Sequence, residues 1–144
     1  MLSNRNNFNR IIIISGVAII FLCFIGYWFA PQKVISNPDQ VIESLVYYPD
    51  RDHEVEVNQH ELATILSKYF FQRRFGVVGS FESKEVSCYI DLISLNYGPI
   101  HIYLGDINFM NRGSLYLDYN ILDAQKLKEE VEELIKRSEV TGAK

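Results

Sequence analysis

An acidic run at residues 50–61 has the residue types and spacing in this chain that come closest to a chemical site. Its carboxylates fall at positions 1, 3, 5 and 7 of the run, which are Asp50, Asp52, Glu54 and Glu56. Oxygen ligands at such spacings are typical of a calcium loop. Position 6 of that loop needs glycine for a sharp turn, and here it is the β-branched Val55, which disfavours positive φ. Two interpretations stay open: a cation- or ligand-sensing turn at residues 50–56, or a hairpin with an acidic outer side.

The remaining reactive side chains do not form a recognisable catalytic or metal-binding pattern. His53, His60 and His101 lack the i, i+4 spacing of a helical metal pair. Cys88 would need an activating histidine such as His101, and its place in an alternating apolar strand favours an inert buried thiol. There is no G-x-S-x-G motif and no glycine-rich phosphate loop. We therefore predict a protein that is not an enzyme, with no catalytic residue, no metal and no cofactor.

Residues 11–30 form an uncharged apolar segment that predicts a membrane anchor. A helix of that length spans roughly 30 Å, which matches the hydrocarbon core of a bilayer. Pro31 follows Ala30 and no A-x-A-like cleavage site is present, so the segment is expected to be retained. Arg5 and Arg10 precede it, which predicts a cytoplasmic N-terminus at residues 1–10 and a single pass through the plasma (inner) membrane.

The part of the chain beyond the anchor is predicted to be one acidic extracytoplasmic domain. The sequence divides into a linker at residues 31–38, a domain at residues 39–138 and a flexible tail at residues 139–144. The formal charge of the chain is −4, and removing the two arginines before the anchor leaves −6 for the remainder. An acidic domain repels nucleic acid and anionic lipid, so neither is expected as a partner.

The periodicity of apolar residues in this domain predicts strands and helices in the order ββαβββα. The expected elements are a hairpin at 43–48 and 53–57, a helix at 58–76 capped by Asn58, strands at 85–95 and 100–104, a hairpin within 108–119, and a helix at 123–138. This order favours an α+β fold, with an antiparallel sheet and two helices packed on one of its faces.

Adjacent aromatic residues, Tyr47-Tyr48 and Phe70-Phe71, indicate a surface for another protein. In a strand, only one residue of a pair such as Tyr47-Tyr48 can face the core, so the other must be exposed. Exposed aromatic side chains are enriched where proteins meet. The candidate partner-binding residues are Tyr47, Tyr48, Phe71 and Tyr97. We therefore expect a membrane-anchored, non-enzymatic binding or accessory protein that contacts another envelope protein. The alternative is a sensor of a small ligand or divalent cation through the acidic turn.

Overall fold

The chain consists of two compact units, Met1–Ala30 and Pro31–Lys144, in a computed structural model. The residues that the structure describes are 3–48, 53–73, 86–106, 108–112 and 118–142.

The first unit is a single apolar helix, α1, which runs from Ser3 to Phe29. Its segment Ile12–Phe29 is long enough and apolar enough to cross a membrane. Most of its large aliphatic and aromatic side chains are more than half exposed, including Ile20 at 71% and Leu22 at 66%. Exposure of this many large apolar side chains on one helix is unfavourable in water.

The second unit has an α+β fold. Among its described residues are eight strands and two α-helices: β1 Gln32–Lys33, β2 Val41–Tyr48, β3 His53–Val55, α2 Gln59–Leu66, β4 Phe70–Arg73, β5 Val86–Ser94, β6 Gly98–Gly105, β7 Phe109–Arg112, β8 Asp118–Ile121 and α3 Ala124–Gly142. A short 3-10 helix at Pro38–Gln40 precedes β2.

All eight strands form one antiparallel sheet with the spatial order β1-β4-β8-β7-β6-β5-β2-β3. The predicted pairing of β2 with β3 is confirmed, with Val46 opposite Val55. Strands β5 and β6 make the longest pair, and the turn between them ends at Gly98, whose φ of 69° suits glycine. The four central strands of the sheet are therefore β8, β7, β6 and β5.

The core lies between one face of this sheet and the helices α2 and α3. The two helices contact each other, α2 contacts β2, and α3 contacts β6. The apolar stripes that the sequence predicts are confirmed for Leu62, Ile65 and Leu66 of α2 and for Leu127, Val131, Leu134 and Ile135 of α3. On β5, Cys88, Ile90 and Leu92 face this core as predicted, whereas Val86 is buried outside it because the strand register shifts between Val86 and Cys88.

The first predicted helix begins as expected but ends much earlier. The side chain of Asn58 accepts a hydrogen bond from the Glu61 N–H at 3.0 Å, which confirms the predicted cap. The helix ends at Leu66, and Phe70–Arg73 is the strand β4 instead of a fourth helical turn. Pairing with β1 on one side and β8 on the other satisfies the backbone of β4, and this tertiary gain exceeds the local helix propensity.

Residues 31–38, which we expected to form a linker, belong to the folded unit. Gln32 and Lys33 extend the sheet beside β4, and Val34 and Ile35 are almost fully buried in the core. The order of strands and helices along this unit also differs from the predicted ββαβββα, because the structure has the additional strands β1, β4 and β8. At the other end, α3 continues to Gly142 and includes most of the segment that we expected to be a flexible tail.

Candidate partner-binding surface

The side of the sheet that points away from α2 and α3 is the best candidate for a functional surface. Side chains alternate between the two faces along a strand, and the buried residues of β5 and β6 alternate with half-exposed ones. We call this side the open face and define it by Tyr47, Tyr89, Asp91, Ile93, His101 and Tyr103. These residues come from three neighbouring strands, β2, β5 and β6.

A row of aromatic rings crosses four strands on the open face. The strand register places Tyr47 opposite Tyr89, Tyr89 opposite Tyr103, and Tyr103 opposite Phe109. The Tyr89 and Tyr103 rings meet edge to face with centroids 4.4 Å apart, and Tyr103 stacks on Phe109 at 4.1 Å. The Tyr89 hydroxyl donates to the Tyr103 hydroxyl at 3.0 Å. Cross-strand aromatic pairs of this kind hold each other's rings in fixed positions.

An aspartate–histidine pair lies beside the aromatic row. His101 Nδ1 is 2.7 Å from Asp91 Oδ1, and the two side chains are 37% and 38% exposed. Asp91 and His101 are directly opposite each other on β5 and β6, so their side chains meet across the strands without any loop. The pair gives the open face a polar centre that is fixed in orientation and still accessible to solvent.

Large apolar side chains are exposed at one end of the open face. Ile93 is 42% exposed and Leu95, in the following turn, is 69% exposed. Ile42 is 55% exposed and is the extra residue where the register of β2 shifts against β5. Exposed aliphatic side chains beside aromatic rings are a composition that favours contact with another protein.

The four sequence-predicted partner-binding residues are not together on this surface. Tyr47 is on the open face and half-buried, as the reasoning about adjacent aromatic residues requires. Tyr48 is 8% exposed and Phe71 is 2% exposed, and both lie in the core. Tyr97 is in the turn between β5 and β6 and packs against the core. Sequence reasoning missed Tyr89 and Tyr103, although their spacing from the buried residues of the same strands places them on the open face.

Tyr97 takes part in a cluster that closes the end of the core. Its hydroxyl is 3.0 Å from Ser36 Oγ, and the Arg112 guanidinium lies 3.2 Å from the centre of its ring. Arg112 also lies 5.2 Å from the centre of the Phe71 ring. Hydrogen bonding to Ser36 and the charge of Arg112 lower the pKa of Tyr97, whereas burial lowers the pKa of Arg112. The hydrogen bond of Ser36 links the segment before β2 to the turn between β5 and β6, and the cation–π contact links that turn to Arg112 of β7.

The acidic turn can be followed only in part. Asp50 and Asp52 lie outside the described residues, whereas Glu54 and Glu56 are exposed. Glu54 is in β3, opposite Tyr47. No group of three or more potential metal ligands occurs among the residues that the structure describes.

Cys88 lies on the opposite face of the sheet from His101. It points into the core, and burial raises the pKa of its thiol to about 12. His101 is instead paired with Asp91 on the open face. The Cys88–His101 contact that the sequence leaves open is therefore not formed, and Cys88 has the environment of an unreactive thiol.

No protein family model, curated protein or solved structure matches this chain.

Proposed function

We propose that this chain is a membrane-anchored, non-enzymatic binding protein whose open face contacts another protein of the cell envelope. The observation that carries the proposal is the composition of that face: a row of aromatic rings on the same face as the exposed Ile93 and Leu95, with the Asp91–His101 pair between them. Such a combination of rigid aromatic and accessible aliphatic surface is typical of protein interfaces.

The apolar helix supports the anchoring part of the proposal. Segment Ile12–Phe29 has the length and composition of a membrane span. With Arg5 and Arg10 before it and an acidic remainder after it, the positive-inside rule favours a cytoplasmic N-terminus in the plasma (inner) membrane. The Pro31–Lys144 unit would then fold outside the cytoplasm, where envelope proteins are within its reach.

Site-specific photo-crosslinking of the full-length chain in its own membranes tests the binding role. A photoreactive amino acid replaces Ile93 in one variant and Glu133, on the exposed side of α3, in the control. We expect a discrete protein adduct from position 93 and none of the same size from position 133. Equal adduct patterns from both positions, or no adduct from position 93, would contradict the proposal.

Protease protection of sealed spheroplasts tests the anchoring and orientation. A protease added from outside should digest the Pro31–Lys144 unit and leave only the anchor fragment with the membrane. Intact protein in the soluble fraction, or a protected domain, would show that the proposed location is wrong.

A further inference from the structure

The strands that form the open face have an unusual distribution of charge. Strands β2, β3, β5 and β6 together contain the carboxylates Glu43, Glu54 and Asp91 but no lysine or arginine. All three acidic residues belong to the open face, because Glu43 is opposite Ile93, Glu54 is opposite Tyr47, and Asp91 is part of that face.

Basic side chains elsewhere in the described part of the unit neutralise acidic ones. Lys68 Nζ lies 3.0 Å from Glu130 Oε2, and Arg137 lies 3.9 Å from Glu61. On the open-face strands, by contrast, neither Glu43 nor Glu54 forms an ion pair with any residue that the structure describes. Among the residues that the structure describes, no lysine or arginine therefore offsets the carboxylates of Glu43 and Glu54, which lie on the same face as the aromatic row and Ile93.

From this pattern we infer that the open face binds a protein segment in which arginine or lysine residues flank exposed apolar side chains. The inference rests on the proposed function and names the chemistry of the partner. Glu43 and Glu54 would pair with the basic residues, while Ile93 and the aromatic row would contact the apolar ones. An arginine suits both parts of this surface, since its guanidinium pairs with a carboxylate and stacks on a tyrosine ring.

The same charges argue against other occupants of the open face. Anionic lipid headgroups and nucleic acid carry negative charge, so Glu43, Glu54 and Asp91 would repel them. A bound metal ion would need converging ligands, whereas these three carboxylates lie on three different strands, with Asp91 already paired to His101. Complementary charge on a second protein would attract these carboxylates and would also increase the rate of association.

Charge reversal in the full-length protein tests the inference. The photoreactive position-93 variant is combined with Glu43→Lys and Glu54→Lys, and separately with the control pair Glu129→Lys and Glu133→Lys on the exposed side of α3. Both pairs change the net charge equally, so only the location differs. We expect the open-face pair to reduce the adduct by about tenfold and the control pair to leave it unchanged.

Salt provides a second measurement that does not depend on substitutions. Raising the ionic strength from about 0.1 M to about 1 M shortens the Debye length from roughly 10 Å to roughly 3 Å. The yield of the crosslinked adduct should therefore fall. Mass spectrometry of the adduct should place the crosslink in a partner segment with arginine or lysine beside apolar residues. Circular dichroism of each variant in detergent checks that it is folded.

The outcomes separate the two proposals. A position-93 adduct that persists in the open-face reversal and at high salt would overturn this inference but leave the proposed function in place. Crosslinking to lipid or to an acidic partner segment would also overturn it. Absence of any position-93 adduct in the otherwise unaltered chain would overturn the proposed function, and this inference with it.

Discussion

The two faces of the central strands differ in composition, burial and charge, although they share the same backbone. On β5 the core face presents Ile90 and Leu92, at 0% and 2% exposure. The open face of the same strand presents Tyr89, Asp91 and Ile93, which are half-buried or exposed. Aliphatic burial on the first face stabilises the fold, whereas the second keeps partly exposed tyrosine rings and polar side chains. This contrast is the physical basis of the proposal that the open face binds another protein.

Thiol reactivity should give the largest difference between the two faces. Since burial raises the pKa of Cys88 from 9.0 to about 12, three pKa units correspond to roughly a thousandfold less thiolate at neutral pH. In a Cys23→Ser background, native Cys88 should therefore react with a maleimide at least about a hundredfold more slowly than a cysteine introduced by Ile93→Cys in a Cys88→Ala chain. Comparable rates in the folded protein would mean that the core face is accessible to solvent.

Truncation of two isoleucines on one strand should show the next largest difference. Ile90→Ala removes fully buried methyl groups and should lower the free energy of unfolding by about 2–5 kcal/mol. Ile93→Ala, at a position that is 42% exposed, should cost less than about 1 kcal/mol. Urea titration of both variants, followed by near-ultraviolet circular dichroism, measures the contrast. Similar losses at the two positions would remove the distinction between the faces.

The sequence predicts which residues face the core wherever the apolar residues of a segment fit a single periodicity. Alternation in β5 and β6, the Asn58 cap and the apolar stripe of α3 are all local patterns, and each is confirmed. Residues 67–73 are different, because the apolar pattern at Tyr69 and Phe70 extends the helical stripe of α2 and also fits the start of an alternating strand. Only pairing with β1 and β8, which are distant in sequence, favours the strand.

The candidate site could be predicted less well, for a related reason. Treating Phe70 as a core residue of a helix made Phe71 the expected exposed aromatic, whereas in β4 Phe71 is buried and Phe70 is 40% exposed. The row formed by Tyr89 and Tyr103 depends on the register between strands, which turns and packing fix and which no single segment encodes.

A polar contact on the core side should have a smaller effect that depends on pH. Glu130 accepts hydrogen bonds from Lys68 at 3.0 Å and from Tyr69 at 2.9 Å, and these hold the pKa of Glu130 below its ordinary value. Because the pKa of Glu130 is lower in the folded protein, its ionised carboxylate stabilises the fold at pH values above the ordinary pKa near 4.5. This stability is lost as the pH falls through the lowered pKa.

Glu130→Gln should therefore cost about 1–2 kcal/mol at neutral pH and less as the pH falls below the ordinary carboxyl pKa. Glu133→Gln, on the exposed side of the same helix, is the matched control and should change little. Thermal unfolding at a series of pH values measures both variants. A constant difference between Glu130→Gln and the unaltered chain across that range would show that the charge of Glu130 does not stabilise the packing of α3.

The hydroxyl pair on the open face should give the smallest effect. Tyr89→Phe removes the bond that Tyr89 donates to Tyr103 but keeps the ring in its edge-to-face position. Because both hydroxyls can exchange this bond for water, the free energy of unfolding should fall by at most about 1 kcal/mol. The aromatic row should remain, so the position-93 adduct should form as before. A decrease in the free energy of unfolding above about 2 kcal/mol, measured by urea titration, would mean that the aromatic row acts as a second core. Removing one hydroxyl that water can replace should not cost that much on a face that contributes little to folding.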